Sequence, residues 1–200
     1  MNSRLSLPGP RDVRATLDGD RDGGTVVVAC PPHPQMRGDR HDGRLTAVSD
    51  GLVERGIDCL RFDYGPWDGG RGERTDVRTA VSWSREHYEQ VGLFGFSFGG
   101  AMALLASVPD EGGPTPDTLS VLAPATQIDE DDVVAAVDAV ECPAQVVYGE
   151  RDDTADWEPT VERARERGWL VESLPADHFF VGQQTKTATL VVSFLADHLG

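Results

Sequence analysis

The sequence predicts an α/β fold: one domain with a mostly parallel central sheet and helices on both faces. Short β-branched runs alternate with stretches of helical period along all 200 residues, the pattern of strand–helix–strand units. Several runs are continuously apolar, as expected of strands covered on both sides. No repeat, low-complexity tract or Pro/Gly-rich linker divides residues 1–200, and the packed core is expected over about residues 12–199.

Taken in order, Asp12-Val-Arg-Ala-Thr-Leu-Asp18 alternates and is expected to pair antiparallel with 25–30 through the Gly/Asp-rich turn between them. Thr25–Cys30 is the first fully apolar strand. Strands are also expected at 58–62, 91–96, 119–123, 144–148 and 170–174. Helical faces fall between them: Leu45, Val48 and Leu52; then Val77, Ala80, Val81 and Tyr88; then the run 101–106. A single helix is expected from Asp131 to Val140. Ala188, Val191, Val192, Leu195 and Leu199 form a clean amphipathic stripe at the end of the chain.

Charge narrows the function classes. The chain carries 34 acidic and 18 basic side chains, a net charge of -16. Such a surface repels phosphate backbones, which disfavours non-specific nucleic-acid binding, so no nucleic-acid partner is expected. Of the bases only Lys186 is a lysine, a composition that fits a salt-rich cytoplasm where ions screen the self-repulsion. The first ten residues lack an apolar signal core and no run reaches transmembrane length, so a cytoplasmic location with no membrane partner is expected. Cys30, Cys59 and Cys142 are an odd set without a disulfide framework, and Cys30-Pro-Pro-His33 has no second ligand pair, so no metal is expected.

Parallel sheets carry their chemistry beyond the carboxyl ends of the strands. There, after 91–96, lies Gly95-Phe96-Ser97-Phe98-Gly99, followed by Gly100 and an apolar helix. A serine between glycines at a strand-to-helix turn is the pattern of a nucleophile elbow. The hydroxyl is lifted on a strained turn, and the glycines let strand and helix approach closely. The backbone N–H of Phe98, opening the helix, can then receive an oxyanion. A serine nucleophile requires a base and a carboxylate to orient it, in the chain order Ser, Asp or Glu, His. His178 follows the strand ending near Leu174, whereas His41, His87 and His198 precede or lie on helices. Asp152, Asp153 and Asp156 share the loop after Tyr148, and Asp152 is preferred.

Gly95-Phe-Ser-Phe-Gly99, Gly149-Glu-Arg-Asp152 and Ala176-Asp-His178-Phe-Phe180 together resemble the α/β-hydrolase superfamily. Pro31-Pro-His-Pro34, Arg61-Phe-Asp-Tyr-Gly65 and Gly70-Arg-Gly-Glu73 with Asp76 resemble more narrowly its small lidless members grouped with dienelactone hydrolases. The likeness spans about residues 24–197. It implies a Ser97–His178–Asp152 triad, the Gly-x-x-Asp pattern selecting Asp152 over Asp153. It also implies that the loop after residue 30 supplies the second oxyanion donor. Pro34 has no N–H, which leaves Gln35 or Met36, with Gln35 taken here and His33 shaping the loop. Dienelactone hydrolases proper use a cysteine where this chain has Ser97, so their substrate does not carry over. Arg37-Gly38 stands where relatives have paired glycines.

The chemistry expected is hydrolysis of a small carboxylic ester or related acyl substrate, without a cofactor. A thioesterase or acyltransferase with the same triad, or a non-catalytic binding member of the fold, are the competing readings. Only about twenty residues separate the strands at 119–123 and 144–148, too few for a cap domain. The site is therefore expected to be open, rimmed by Met36, Trp67, Phe98 and Phe179. Asp18-Gly-Asp-Arg-Asp22-Gly23 opens like a calcium loop but places Ala29 where a glutamate is required, so it reads as a turn. Gly69–Gly72 fits no phosphate loop and reads as a turn at the rim, with Glu73 near a helix start. Asp129–Asp132 reads as a solvated helix N-terminus.

Overall fold

The computed structural model describes residues 2–20, 24–109 and 113–200. Ten strands and six α-helices follow in the order β1 Asn2–Leu7, β2 Val13–Asp18, β3 Thr25–Cys30, α1 Gly43–Val53, β4 Asp58–Asp63, α2 Arg71–His87, β5 Gln90–Phe96, α3 Phe98–Ser107 and β6 Thr118–Leu122 among the described residues. After these come β7 Gln127–Ile128, β8 Asp131–Asp132, α4 Val133–Ala139, β9 Ala144–Gly149, α5 Glu158–Glu166, β10 Leu170–Leu174 and α6 Gln184–His198. The main sheet has eight strands in the order β1-β2-β4-β3-β5-β6-β9-β10. Strands β3, β4, β5, β6, β9 and β10 run parallel, whereas β2 is antiparallel to both β1 and β4.

The pleat divides the apolar strands between two cores. Val26, Val28 and Cys30 of β3 point to one side, into a core shared with α2, α3, α4 and α5. Val27 and Ala29 point to the other, packing with Leu45, Val48 and Leu52 of α1 and Val191, Val192 and Leu195 of α6. A strand that must face two cores cannot alternate with polar residues, hence the unbroken run at 25–30. Each fully buried Val or Leu contributes about 1.5–3 kcal/mol.

Two expectations about pairing and helix extent need correction. Strand β2 does not pair with β3: both edges of β3 are taken by the parallel strands β4 and β5, and β2 lies outside β4 with Leu17 opposite Leu60. Residues 21–23 of the turn read between them, including part of the calcium-like motif, lie outside the described residues. The helix expected over 131–140 begins at Val133, because Asp131 and Asp132 pair with Gln127 and Ile128 first. Asp132 then caps it, accepting the N–H of Ala135 at 3.0 Å. Strand β1 and helix α5 were not anticipated.

The chain leaves β3 in one direction to form β4, then returns to form β5 on the other side. The carboxyl ends of β3 and β5 therefore flank a topological switch point, where the loops part and leave a crevice. Among the described residues no helix is long and apolar enough to cross a membrane.

Candidate active site

Ser97 sits between β5 and α3 with φ 56 and ψ -120, a conformation rare for a residue with a side chain. Strain of this kind costs about 1–3 kcal/mol and persists only where the surroundings hold it. Two glycines allow it. A methyl group on Gly95 would lie 2.2 Å from the carbonyl oxygen of Gly99, and one on Gly99 would lie 2.2 Å from that of Cys30. Both obstacles are backbone, so neither can yield. The Ser97 N–H donates to the Leu122 carbonyl at 2.8 Å, which ties the elbow to β6.

His178 lies in the turn after β10. Asp177 braces this turn, its Oδ1 accepting the N–H of Phe179 at 3.1 Å, and Phe180 anchors it with a fully buried ring. The loop bearing Asp152 is fastened to it: the Arg151 N–H donates to the Ala176 carbonyl at 3.0 Å. His178 is 4% exposed, and its imidazole bridges the other two groups. Its Nδ1 stands 2.7 Å from Asp152 Oδ2 and its Nε2 stands 2.9 Å from Ser97 Oγ. A carboxylate only accepts, so the proton sits on Nδ1 and Nε2 is free to accept from the hydroxyl. The Asp152 side chain is wholly buried, and its Oδ1 accepts the N–H groups of Thr154 and Ala155 at 2.9 and 3.0 Å. Asp153 and Asp156 are exposed.

A cavity of about 300 Å³ opens on Ser97 and His178. Met36, Phe98 and Phe179 line it, together with Ile128, Ala125 and Phe96, so its wall is mostly apolar. Arg44 also lines it, its guanidinium lying over the Phe96 ring at 4.1 Å and paired with Asp42. A larger depression of about 720 Å³ lies at the opposite end of the sheet, near the starts of β9 and β10, and none of Ser97, Asp152 and His178 lines it.

Two residues read as site residues are placed elsewhere. Trp67 does not line the cavity: its ring packs behind it, 4.6 Å from the His33 ring and 5.7 Å from the Phe98 ring. Gln35 does not line it either, and its N–H is directed at Nδ1 of His33, 3.3 Å away. The Met36 N–H donates to the His33 carbonyl at 3.0 Å. The N–H of His33 itself, on a residue that does line the cavity, has no acceptor among the described residues, and neither has that of Phe98. Burial pushes the His33 imidazole below its ordinary value, against the opposing charge of Glu73, which keeps Nδ1 available as an acceptor.

The turn at Gly69–Gly72 is likewise more deeply built than expected. Glu73 is fully buried and accepts the N–H groups of Asp68 and Gly70 at 2.9 and 2.8 Å. Asp76, also fully buried, accepts from Gly65 N–H and Arg11 Nε. No local signal links Arg11 to residues 73 and 76; only the packing of the β1–β2 turn against α2 brings them together.

The chain superposes on a lidless α/β serine hydrolase from Xanthomonas campestris with a TM-score of 0.81, 23% identity, and 99% of this chain and 95% of that chain covered. An α/β serine hydrolase homologue from Coxiella burnetii gives 0.82 at 22% identity, covering 98% of each chain. The fold is that of the lidless α/β-hydrolases. A dienelactone hydrolase from Anabaena variabilis shares it, with a TM-score of 0.81 at 18% identity over 100% of this chain and 99% of that one. No protein-family model and no curated protein matches the sequence. Within this hydrolase fold a cap domain would enter between β6 and β9, where only the β7–β8 pair and α4 stand.

Proposed function

We propose that the protein is a serine hydrolase that cleaves small carboxylic esters through an acyl-enzyme. The observation that carries this reading is the His178 ring, within 2.7 Å of Asp152 and 2.9 Å of Ser97 at once. Ser97 Oγ attacks the ester carbonyl while Nε2 of His178 takes its proton. Asp152 holds the productive tautomer and stabilises the imidazolium. The proton then passes to the departing alcohol as the carbon–oxygen bond breaks. Water, activated by the same nitrogen, releases the acid and restores Ser97.

The developing oxyanion is received by the N–H groups of Phe98 and His33. We prefer His33 to Gln35 and Met36 because its N–H has no acceptor among the described residues and theirs are engaged. Losing one such donor removes about 3 kcal/mol of transition-state stabilisation. The apolar lining and the short β6–β9 connection favour a modest acyl or alkyl group. Est1E from Butyrivibrio proteoclasticus, which has the same fold at 16% identity, has been seen with ferulic acid bound, an acid of that modest size.

Labelling with a fluorophosphonate and hydrolysis of aryl esters of increasing chain length test the proposal. Labelling should map to Ser97, short acyl esters should be preferred, and Ser97→Ala should abolish both reactions. Substantial esterase activity in Ser97→Ala would remove the nucleophile from the reading. A strong preference for long acyl chains would contradict the uncapped site.

A further inference from the structure

We infer that Trp67, on a loop tethered to the buried carboxylates Glu73 and Asp76, is a positioning residue for the oxyanion wall rather than a wall of the substrate pocket. The inference rests on the function proposed above and concerns how that site is kept in shape. It starts from the loop of residues 64–70, which connects β4 to α2.

Three backbone N–H groups of that loop lead to two carboxylates from the first turns of α2. Gly65 N–H donates to Asp76 Oδ2 at 2.9 Å, Asp68 N–H to Glu73 Oε1 at 2.9 Å, and Gly70 N–H to Glu73 Oε2 at 2.8 Å. One cation serves both acids. Arg11 donates through Nε to Asp76 Oδ1 at 2.8 Å, approaches Glu73 Oε1 at 3.6 Å, and also bonds the carbonyl of Pro66. Both carboxylate side chains are wholly inaccessible to solvent.

What the tethered loop presents to the site is aromatic. The Trp67 ring lies against His33 and Phe98, and the Tyr64 ring meets Phe98 edge-on at 5.6 Å. The Tyr64 hydroxyl donates to the Pro31 carbonyl at 3.2 Å, within the loop that leads to His33. His33 and Phe98 in turn touch each other, ring centroids 4.8 Å apart. The loop thus backs the two residues whose N–H groups face the developing charge, yet Trp67, Glu73 and Asp76 do not line the cavity. A hydrogen-bond donor acts on a transition state only when it is already in place, and a displacement of about 1 Å can cost 10²-fold in rate.

A helix cap alone would explain Glu73, and a pocket wall alone would explain an exposed tryptophan. The readouts separate these from positioning. Trp67→Ala, Trp67→Phe and Glu73→Gln are compared with wild type on a short 4-nitrophenyl ester. Each is also titrated with a trifluoromethyl ketone, whose hemiketal adduct on the serine carries an oxyanion. Leu17→Ala, in β2, serves as a destabilised control. Trp67→Ala and Glu73→Gln should each lower kcat and weaken the ketone by about tenfold or more, with KM changed by less than about threefold. Trp67→Phe should recover most of the loss, and Leu17→Ala should keep its kcat despite a lower melting temperature.

A raised KM with kcat intact in Trp67→Ala would make that ring a substrate contact and overturn the inference. So would an unchanged kcat in the folded variants, or an equal kcat loss in the Leu17→Ala control. Where Glu73→Gln fails to fold, the half-exposed Trp67 decides alone. Wild-type turnover and Ser97-dependent labelling report separately on the proposed function. If both are absent, both readings fall; if both are present without the kcat split, only the positioning role falls.

Discussion

Replacing Asp152 with asparagine removes a charge while keeping the side chain's shape, and the surrounding hydrogen bonds dictate how the amide must sit. At Oδ1 the carboxylate faces two backbone donors, Thr154 and Ala155 N–H, at 2.9 and 3.0 Å. Turning the amide NH₂ toward them would set donor against donor at both contacts. The carbonyl therefore takes that position, and the NH₂ takes the place of Oδ2, facing His178 Nδ1 at 2.7 Å. The imidazole must then accept at Nδ1 and carry its proton on Nε2, pointed at the Ser97 hydroxyl 2.9 Å away. A base in the wrong tautomer cannot take the serine proton. Loss of the tautomer with intact geometry costs about 10⁴ in kcat, or about 5.5 kcal/mol in the barrier. Ester turnover by Asp152→Asn, normalised to folded protein and paired with a melting curve, measures this. The melting temperature should change little, because the backbone donors keep their acceptor. A kcat within about tenfold of wild type would refute the assignment of Asp152, and so would an equal loss in Asp153→Asn or Asp156→Asn.

Three further outcomes follow from other parts of the molecule. Gly99→Ala places a methyl 2.2 Å from the Cys30 carbonyl oxygen and 2.4 Å from that of Pro31. It should cost about 1–3 kcal/mol in urea unfolding and nearly all fluorophosphonate labelling; a wild-type midpoint and labelling rate would contradict the packing argument. At Asp117 burial alone would raise the carboxyl pKa, but hydrogen bonds from Arg85 and the Val91 N–H, with the Arg85 charge, outweigh it and hold it below 3.8. A carboxyl lowered on folding contributes stability above its unfolded value and loses it as pH falls through the folded one. Asp117→Asn should thus flatten the loss of melting temperature below about pH 4, and superimposable acid limbs would refute this. With a net charge of -16, the melting temperature should rise from low to molar KCl as the screening length shrinks from about 10 Å to about 3 Å. An unchanged melting temperature would show that self-repulsion does not limit stability.

How much of this was legible in the residue order varies from place to place. The strands at 25–30 and 91–96 were plain because each faces two cores and can carry no polar alternation to confuse the reading. Ser97 was plain because the glycines on either side have a single steric explanation, which the contacts at Gly95 and Gly99 supply. Strand β1 was missed because an edge strand facing solvent on one side carries little apolar signal. Helix α5 was missed because its charged residues dominate its pattern. The pairing of β2 was misjudged because a hairpin is a local inference, whereas the occupation of both edges of β3 is a property of the whole sheet. A resemblance points to the loop after residue 30 and a rim residue such as Trp67 to the neighbourhood of the site, but neither says which way an N–H or a side chain points.

The order of residues by itself determined that this chain folds around a mostly parallel α/β sheet with a serine at a strained turn and with an acid and an imidazole after later strands. Periodicity, glycine sterics and chain order are local or cumulative properties, so they survive in one dimension. Only the tertiary structure decided that Asp152 rather than Asp153 or Asp156 reaches His178, that the N–H of His33 has no acceptor among the described residues while that of Gln35 has one, and that Arg11 joins Asp76 across 65 positions and Glu73 as well. Hydrogen bonds and buried charges are satisfied by direction and distance in space, and separation along the chain constrains neither.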